Sequence, residues 1–534
     1  MAMDQSNSSR IDVATLRRWL GDGGEIAFVD VREEGQHGAG HPLLAVNVPY
    51  SRLEIDIGRL VPRHSCRIAL IDDGDGVADK AARRLAALGY GAVHVVEGGI
   101  AAWTASGHQL FPSTNVPSKA FAEIVEIDRH TPHVTAAELD RLRREGQKLV
   151  VLDSRTVEEF NRFHVPGATT CPGAELVHRF NDLVPDRETL VVVSCAGRTR
   201  SIIGAQSLIN AGVPNRVVSL QGGTQAWRLD GLELERDTRA SLLPVSAAAA
   251  EAARRLADGV AARFGVRLID HATLAAWRDE ADRRATFVLD VRTPQEYAAG
   301  HLPGSVSAEG GQLVQAIDRW VGIRGARLVL ADDSGTRAIM SAHWLQQMGW
   351  DVAVLDRAFA GQALQQGDDS GPPPILPDVT AISVPEVAHW LNDGAAAIVI
   401  GASANYRQAH PEEAVWAIRP RLDRLPSSVL RASRIVVFAE DDAVGALAAA
   451  DLKEIAAGPA VLVQGGIEAW RANGRPFEAS PGNPPDSERI DYIFWNHDRH
   501  AGNQDAMRAY LRWETELPDE VARDGLAGFR LAAS

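Results

Sequence analysis

Residues 190–201 read LVVVSCAGRTRS and hold the chain's best candidate for covalent chemistry. Cys195 follows a run of valines of the kind that forms a buried parallel strand, and a helical pattern takes over at Ser201. A cysteine at a strand-to-helix junction can receive successive backbone N–H groups and faces the positive end of a helix dipole. The pattern therefore favours its thiolate. Arg198 and Arg200 add two full positive charges to the same rim, so Ala196, Gly197, Arg198, Thr199, Arg200 and Ser201 form the candidate cradle for a small anionic substrate. A lone cysteine is more often a small buried hydrophobe. Two arginines within five residues of it weigh against that here.

The elements that must position this loop are written into the chain four times. Entry helices recur as IDVATLRRWL from Ile11, PHVTAAELDRL from Pro132, IDHATLAAWR from Ile269 and ISVPEVAHWL from Ile382. A second block follows each one, and in the first three copies Asp30, Asp153 and Asp290 stand 11 residues before His41, His164 and His301. The fourth copy keeps Tyr406 and His410 but has Val399 and Gly401 where the others have Asp and Arg. Aligning the loop strands without gaps places Asp72, Asp332 and Ala439 opposite Cys195, so only the second copy has a nucleophile. Acidic loops, such as Asp72 with Asp73, repel an anion. Copies one, three and four are expected to be non-catalytic and to serve as scaffold, active-site cover or docking surface.

Five blocks of the second copy resemble the rhodanese family. They are Asp153 with Arg155, Glu159 with Phe160, the turn His164, Pro166, Gly167 and Ala168, the six-residue cysteine loop, and Gly222, Gly223 and Trp227. The resemblance implies an α/β protein of four tandem rhodanese-like domains, each a parallel sheet flanked by helices on both faces, with a helical C-terminal extension. It also implies a sulfurtransferase carrying sulfur as a Cys195 persulfide, with thiosulfate as donor, cyanide, a thiol or a protein thiol as acceptor, and no metal or organic cofactor. 3-Mercaptopyruvate is the competing donor, although the charged loop CAGRTR differs from the smaller loops of relatives specific for it. A dual-specificity phosphatase on the same fold needs five residues between Cys and Arg, and four separate Cys195 from Arg200. A persulfide relay acting only on a protein partner is the other alternative.

Asp153 and Arg155 read as a charge pair fixing the strand end, and His164 as a turn residue, because both recur in copies without a cysteine. Cys171 reads as a structural thiol rather than one that resolves a persulfide. His497, Asp498 and His500 match no metal spacing. The paired glycines before Trp103, Trp227 and Trp470 read as a tight turn with a core tryptophan.

The chain's 534 residues suit several domains, with expected bounds at 1–115, 116–240, 241–367 and 368–480 and an extension over 481–534. Met507, Tyr510, Leu511 and Leu517 of that extension fall on one helical face, which predicts a helix docked on another copy. A formal charge of −15 argues against nucleic acid or an anionic membrane as partner, though not against a local basic pocket. The three cysteines lie far apart and form no metal-like spacing, which argues against a disulfide framework or a zinc site, and the polar start MAMDQSNSSR lacks an apolar leader. A cytoplasmic location is the expectation.

Overall fold

A computed structural model describes residues 9–368, 373–500 and 502–532. The polar stretch MAMDQSNSSR falls largely on residues 1–8, and residues 369–372 belong to the boundary expected near 367. Both lie outside the described residues, as does the His500 side chain.

Four five-stranded sheets follow one another along the chain, and all four share one strand order. In the second, His133–Val134 lies at one edge, followed by Val217–Leu220, Leu190–Ser194, Leu149–Asp153 and Thr169–Thr170, all parallel. The run that ends in the cysteine is therefore the central strand. Buried on both faces, it can be apolar at every position rather than alternating. Its odd and even residues still separate. Val191 and Val193 pack with Leu152, Leu176 and Ile202, while Val192 packs with Val151, Val218 and Trp227 against helix Ala136–Arg144. Cys195 emerges at the carboxyl end of this strand, where open α/β sheets place their ligands.

One hydrophobic cluster runs through the first three units, from Ala27 to Val354. The fourth keeps two clusters of its own on opposite faces of its sheet: Ile398, Ile400, Ile435 and Val437 on one side, and Val399, Val436 and Phe438 on the other. Its bond to the first unit is ionic. The Arg419 guanidinium, 2% exposed, donates to Glu54 at 2.5 and 2.6 Å and to Asp451 at 2.7 Å, and Arg84 joins the same carboxylates.

The extension forms helices Phe494–His500 and Gln504–Asp524. The longer one buries Met507, Tyr510, Trp513, Leu517 and Val521 and packs on Val116–Arg129, the helix that leads into the second unit. Leu511 is half-buried, its methyl 3.4 Å from the Cβ position at Gly222. The expected amphipathic face is present, and it docks beside the cysteine loop. No described helix is long and apolar enough to cross a membrane.

Candidate functional site

The loop helix spans Thr199–Ala211, two residues earlier than the pattern predicted, because the Ile202 amide already bonds the Arg198 carbonyl at 3.0 Å. This brings the helix N-terminus closer to the cysteine. A neighbouring helix, Gly223–Leu229, holds the loop from outside. The Thr224 amide takes the Cys195 carbonyl at 2.9 Å, and the Gln225 amide takes that of Ala196 at 3.1 Å. Gly223 has φ +54°, and a Cβ there would lie 2.2 Å from the Cys195 oxygen. The Gly-Gly turn is thus a clamp on the loop backbone, and it commits the loop's carbonyls to a partner outside the cradle.

Cys195 is 2% exposed. Burial pushes its thiol up, against the pull of the Arg200 charge and of the Ser201 hydroxyl and amide. The expected preference for a thiolate is corrected on this point: desolvation outweighs the charges while the cradle is closed around the sulfur.

Both loop arginines already hold carboxylates. Arg198 grips Glu123 through Nε and Nη2, each at 2.7 Å, and also meets Glu126, both on helix Val116–Arg129. Arg200 forms a two-point pair with Glu159, at 2.6 and 2.8 Å. Burial raises the Glu159 carboxyl, but the Arg200 guanidinium wins and holds it at about 2.

The flanking residues brace the loop. Ser194 is level with Asp153 in the sheet, and Arg155 donates to both Asp153 oxygens, at 2.9 and 2.8 Å, and to the Phe163 carbonyl at 2.6 Å. Asp30 with Arg32 and Asp290 with Arg292 repeat this pair. The His164 ring stacks on Phe160 at 3.7 Å and donates from Nδ1 to its carbonyl, as His41 does over His37 and His301 over Tyr297. Cys171 and Cys66 are core residues. Burial pushes both thiols up, that of Cys66 to about 11. Among the described residues no group of three His, Cys, Asp or Glu side chains could hold a metal ion.

Cys195 opens on a cavity of about 580 Å³. Its other walls come from the first unit through Arg52 and Arg59, the third through Arg319, the linking helix through Lys119 and the extension through Arg499 and Glu514. Loop periodicity gave no sign of these residues. The only signal was the apolar face of the extension, which required a partner without saying where.

The other units show what fills the same cradle when cysteine is absent. In the first, Asp72 accepts the amides of Gly74 and Ala78, both at 2.9 Å. In the third, Asp332 accepts the Arg337 amide at 2.7 Å and that of Ala338 at 3.3 Å. Arg337 stands five positions after Asp332, as Arg200 stands after Cys195, and it pairs with Glu296 as Arg200 does with Glu159. In the fourth, Asp441 takes the amides of Ala443 and Val444. The carboxylates were expected to repel anions; they also occupy the amides that an anion would use.

The Rhodanese-like domain family model matches residues 12–106, 135–230 and 271–363, more than half of the chain. The crystal structure of a thiosulfate sulfurtransferase from Pseudomonas aeruginosa is 43% identical, with a TM-score of 0.93 over 98% of this chain and 100% of that one. An HTH-type transcriptional regulator of Mycobacterium tuberculosis is 35% identical over 102 residues, 19% of this chain, which spans 44% of that relative's length. Three matched domains, each with the strand order of the unit that carries Cys195, lead to one conclusion: the chain belongs to the rhodanese family.

Proposed function

We propose that the protein is a sulfurtransferase that moves the outer sulfur of thiosulfate to a thiophilic acceptor through a persulfide on Cys195. The observation that carries this reading is the placement of Cys195: it ends the central strand, sits in a loop clamped from outside, and opens on a cavity closed by other parts of the chain. The thiosulfate sulfurtransferase that is similar over its whole length supports the donor.

In the first step the Cys195 thiolate attacks the outer sulfur of thiosulfate. A Cys195 S–S bond forms, the S–S bond of the donor breaks, and sulfite leaves with the electron pair. In the second, cyanide or an acceptor thiolate attacks the terminal sulfur, and Cys195 leaves as thiolate. The thiol gives its proton to solvent in the cavity before attack, and Arg200 and the loop amides stabilise the anion that forms; preorganised donors of this kind contribute about 3 kcal/mol each. Arg200, paired with Glu159, tunes the sulfur, while Arg198 ties the loop to the linking helix through Glu123. The fourth unit, which the family model does not span, is read as a diverged copy with a structural role.

The test is steady-state transfer to cyanide from thiosulfate and from 3-mercaptopyruvate, with wild type and Cys195→Ala. Faster turnover with thiosulfate, abolished in Cys195→Ala, is expected. Turnover that survives in Cys195→Ala overturns the reading, and preference for 3-mercaptopyruvate reassigns the donor.

A further inference from the structure

Two cations packed on the Tyr510 ring in the cavity over Cys195 have no carboxylate among the described residues. Arg499 lies 3.7 Å from the centroid of the Tyr510 ring, and its Nε and Nη1 are buried without a hydrogen-bond partner. Lys119 stands 5.5 Å from the centroid of the same ring, 5% exposed, with Nζ donating to Ser113 Oγ at 3.0 Å and to the Thr114 carbonyl at 2.5 Å. Among the described residues neither forms an ion pair, whereas Arg198 and Arg200 are both neutralised by glutamates. The Tyr510 ring joins them to the chemistry: its Cε1 comes within 3.4 Å of the Cβ position at Gly197, two residues beyond the nucleophile.

Converging positive charge in a buried space is costly unless something negative shares it. Burial and the charges of Arg499 and Arg200 push the Lys119 ammonium down to about 7, opposed by Glu514 and Asp318. Glu514 does not discharge the cluster. One of its oxygens takes the Tyr510 hydroxyl at 2.7 Å, the other has no partner, and burial pushes the carboxyl up toward its neutral form. The unmet guanidinium nitrogens, the ammonium and the sulfur of Cys195 all line one cavity. An oxyanion with several acceptor oxygens on one centre suits that set.

We propose that the sulfonate end of the donor is seated by Arg499 and Lys119 across the Tyr510 ring, so that the C-terminal extension completes the active site. This rests on the sulfurtransferase reading and adds to it the residues that hold the donor. The extension then selects for tetrahedral oxyanions.

The experiment has a kinetic arm and a binding arm. Arg499→Gln and Lys119→Met are expected to raise KM for thiosulfate about tenfold or more with kcat within about threefold, as the loss of a charged hydrogen bond dictates. Arg499→Lys, which keeps the charge without the fork, falls between. The exposed Arg319→Gln, in the same cavity wall, changes KM less than about twofold, which separates direct contact from a general field. In the binding arm, sulfate is titrated against chloride at equal ionic strength into Cys195→Ala protein, with and without Arg499→Gln, and the thermal midpoint is read. Stabilisation by sulfate that disappears with Arg499→Gln supports the proposal. Equal stabilisation of both proteins, or an unchanged KM in both single variants, overturns it. Should wild type not turn over thiosulfate, the sulfurtransferase reading falls, and the sulfate arm still decides this one.

Discussion

Glu159→Gln is the substitution that most directly tests how the loop sets the reactivity of Cys195. The carboxylate of Glu159 cancels the charge of Arg200 through two short hydrogen bonds, and Arg200 is the leading influence that favours the thiolate. Glutamine keeps the shape but puts an amide NH2 where one oxygen stood, so it removes the charge together with one of the two acceptors that hold Arg200. At an effective dielectric of about 20, a full charge that reaches the sulfur through its partner Arg200 is worth on the order of 1 kcal/mol once the partial exposure of Glu159 is counted. Removing a negative charge favours the thiolate, so the Cys195 midpoint falls by about one pH unit. The thiolate fraction at neutral pH then rises about tenfold, and the lower basicity of the sulfur returns part of that gain, leaving alkylation about threefold faster. The assay is iodoacetamide labelling from pH 6 to 10 read by intact mass. Cys66 and Cys171 stay silent because both are sealed in the hydrophobic core, whereas Cys195 lines the cavity. Arg200→Gln must move the midpoint upward. A midpoint that stays in place in Glu159→Gln, or rises, refutes the electrostatic account of the loop.

Three further outcomes follow from the packing. Gly223→Ala forces a Cβ to 2.2 Å from the Cys195 carbonyl at a left-handed φ, so it costs about 3 kcal/mol and at least tenfold in turnover; Gly212→Ala, with φ +75° and open space, costs only about 1 kcal/mol and keeps full turnover. Equal effects of the two in urea unfolding and sulfur transfer would dismiss the clamp. Arg419→Ala strands buried Glu54 and lowers stability by about 3 kcal/mol or more in urea, and a loss under about 1 kcal/mol would mean that the ionic contact between the first and fourth units is idle. Cys171→Ala keeps sulfur transfer within about twofold, and a tenfold loss in a folded variant would restore the resolving-thiol idea.

The sequence exposed what is periodic and local. The valine run, the Asp-Arg strand ends and the stacked histidines are short-range patterns, and the structure repeats each of them in the units that carry the residues. The cysteine loop was legible for the same reason. Arg198 shows where such reading stops. Its charge is visible in the chain, but its partners Glu123 and Glu126 lie more than 70 residues away and carry no motif. Lys119, Arg499 and Tyr510 are harder still, because nothing in their neighbourhoods marks them; they meet only when the extension folds back over the linking helix. Arg337 does carry a local signal, standing five positions after Asp332 as Arg200 stands after Cys195.

The degenerate units show why the cradle needs cysteine rather than any anion former. Loop amides that converge on one point must be satisfied in the resting state. An aspartate does this permanently: Asp72 takes two amides and Asp332 three, and Asp332 adds the guanidinium of Arg337 at 3.2 Å, so these donors are committed before a substrate arrives. A thiol is a poor acceptor, and burial keeps it protonated, so the amides around Cys195 are only weakly engaged until charge develops on sulfur. The third unit retains the Arg337–Glu296 pair and the helix start, but it has Asp332 in place of the cysteine and Gly335 in place of Arg198. The loops of the first and third units are closed by their own side chains, and these two units supply Arg52, Arg59 and Arg319 to the walls around Cys195.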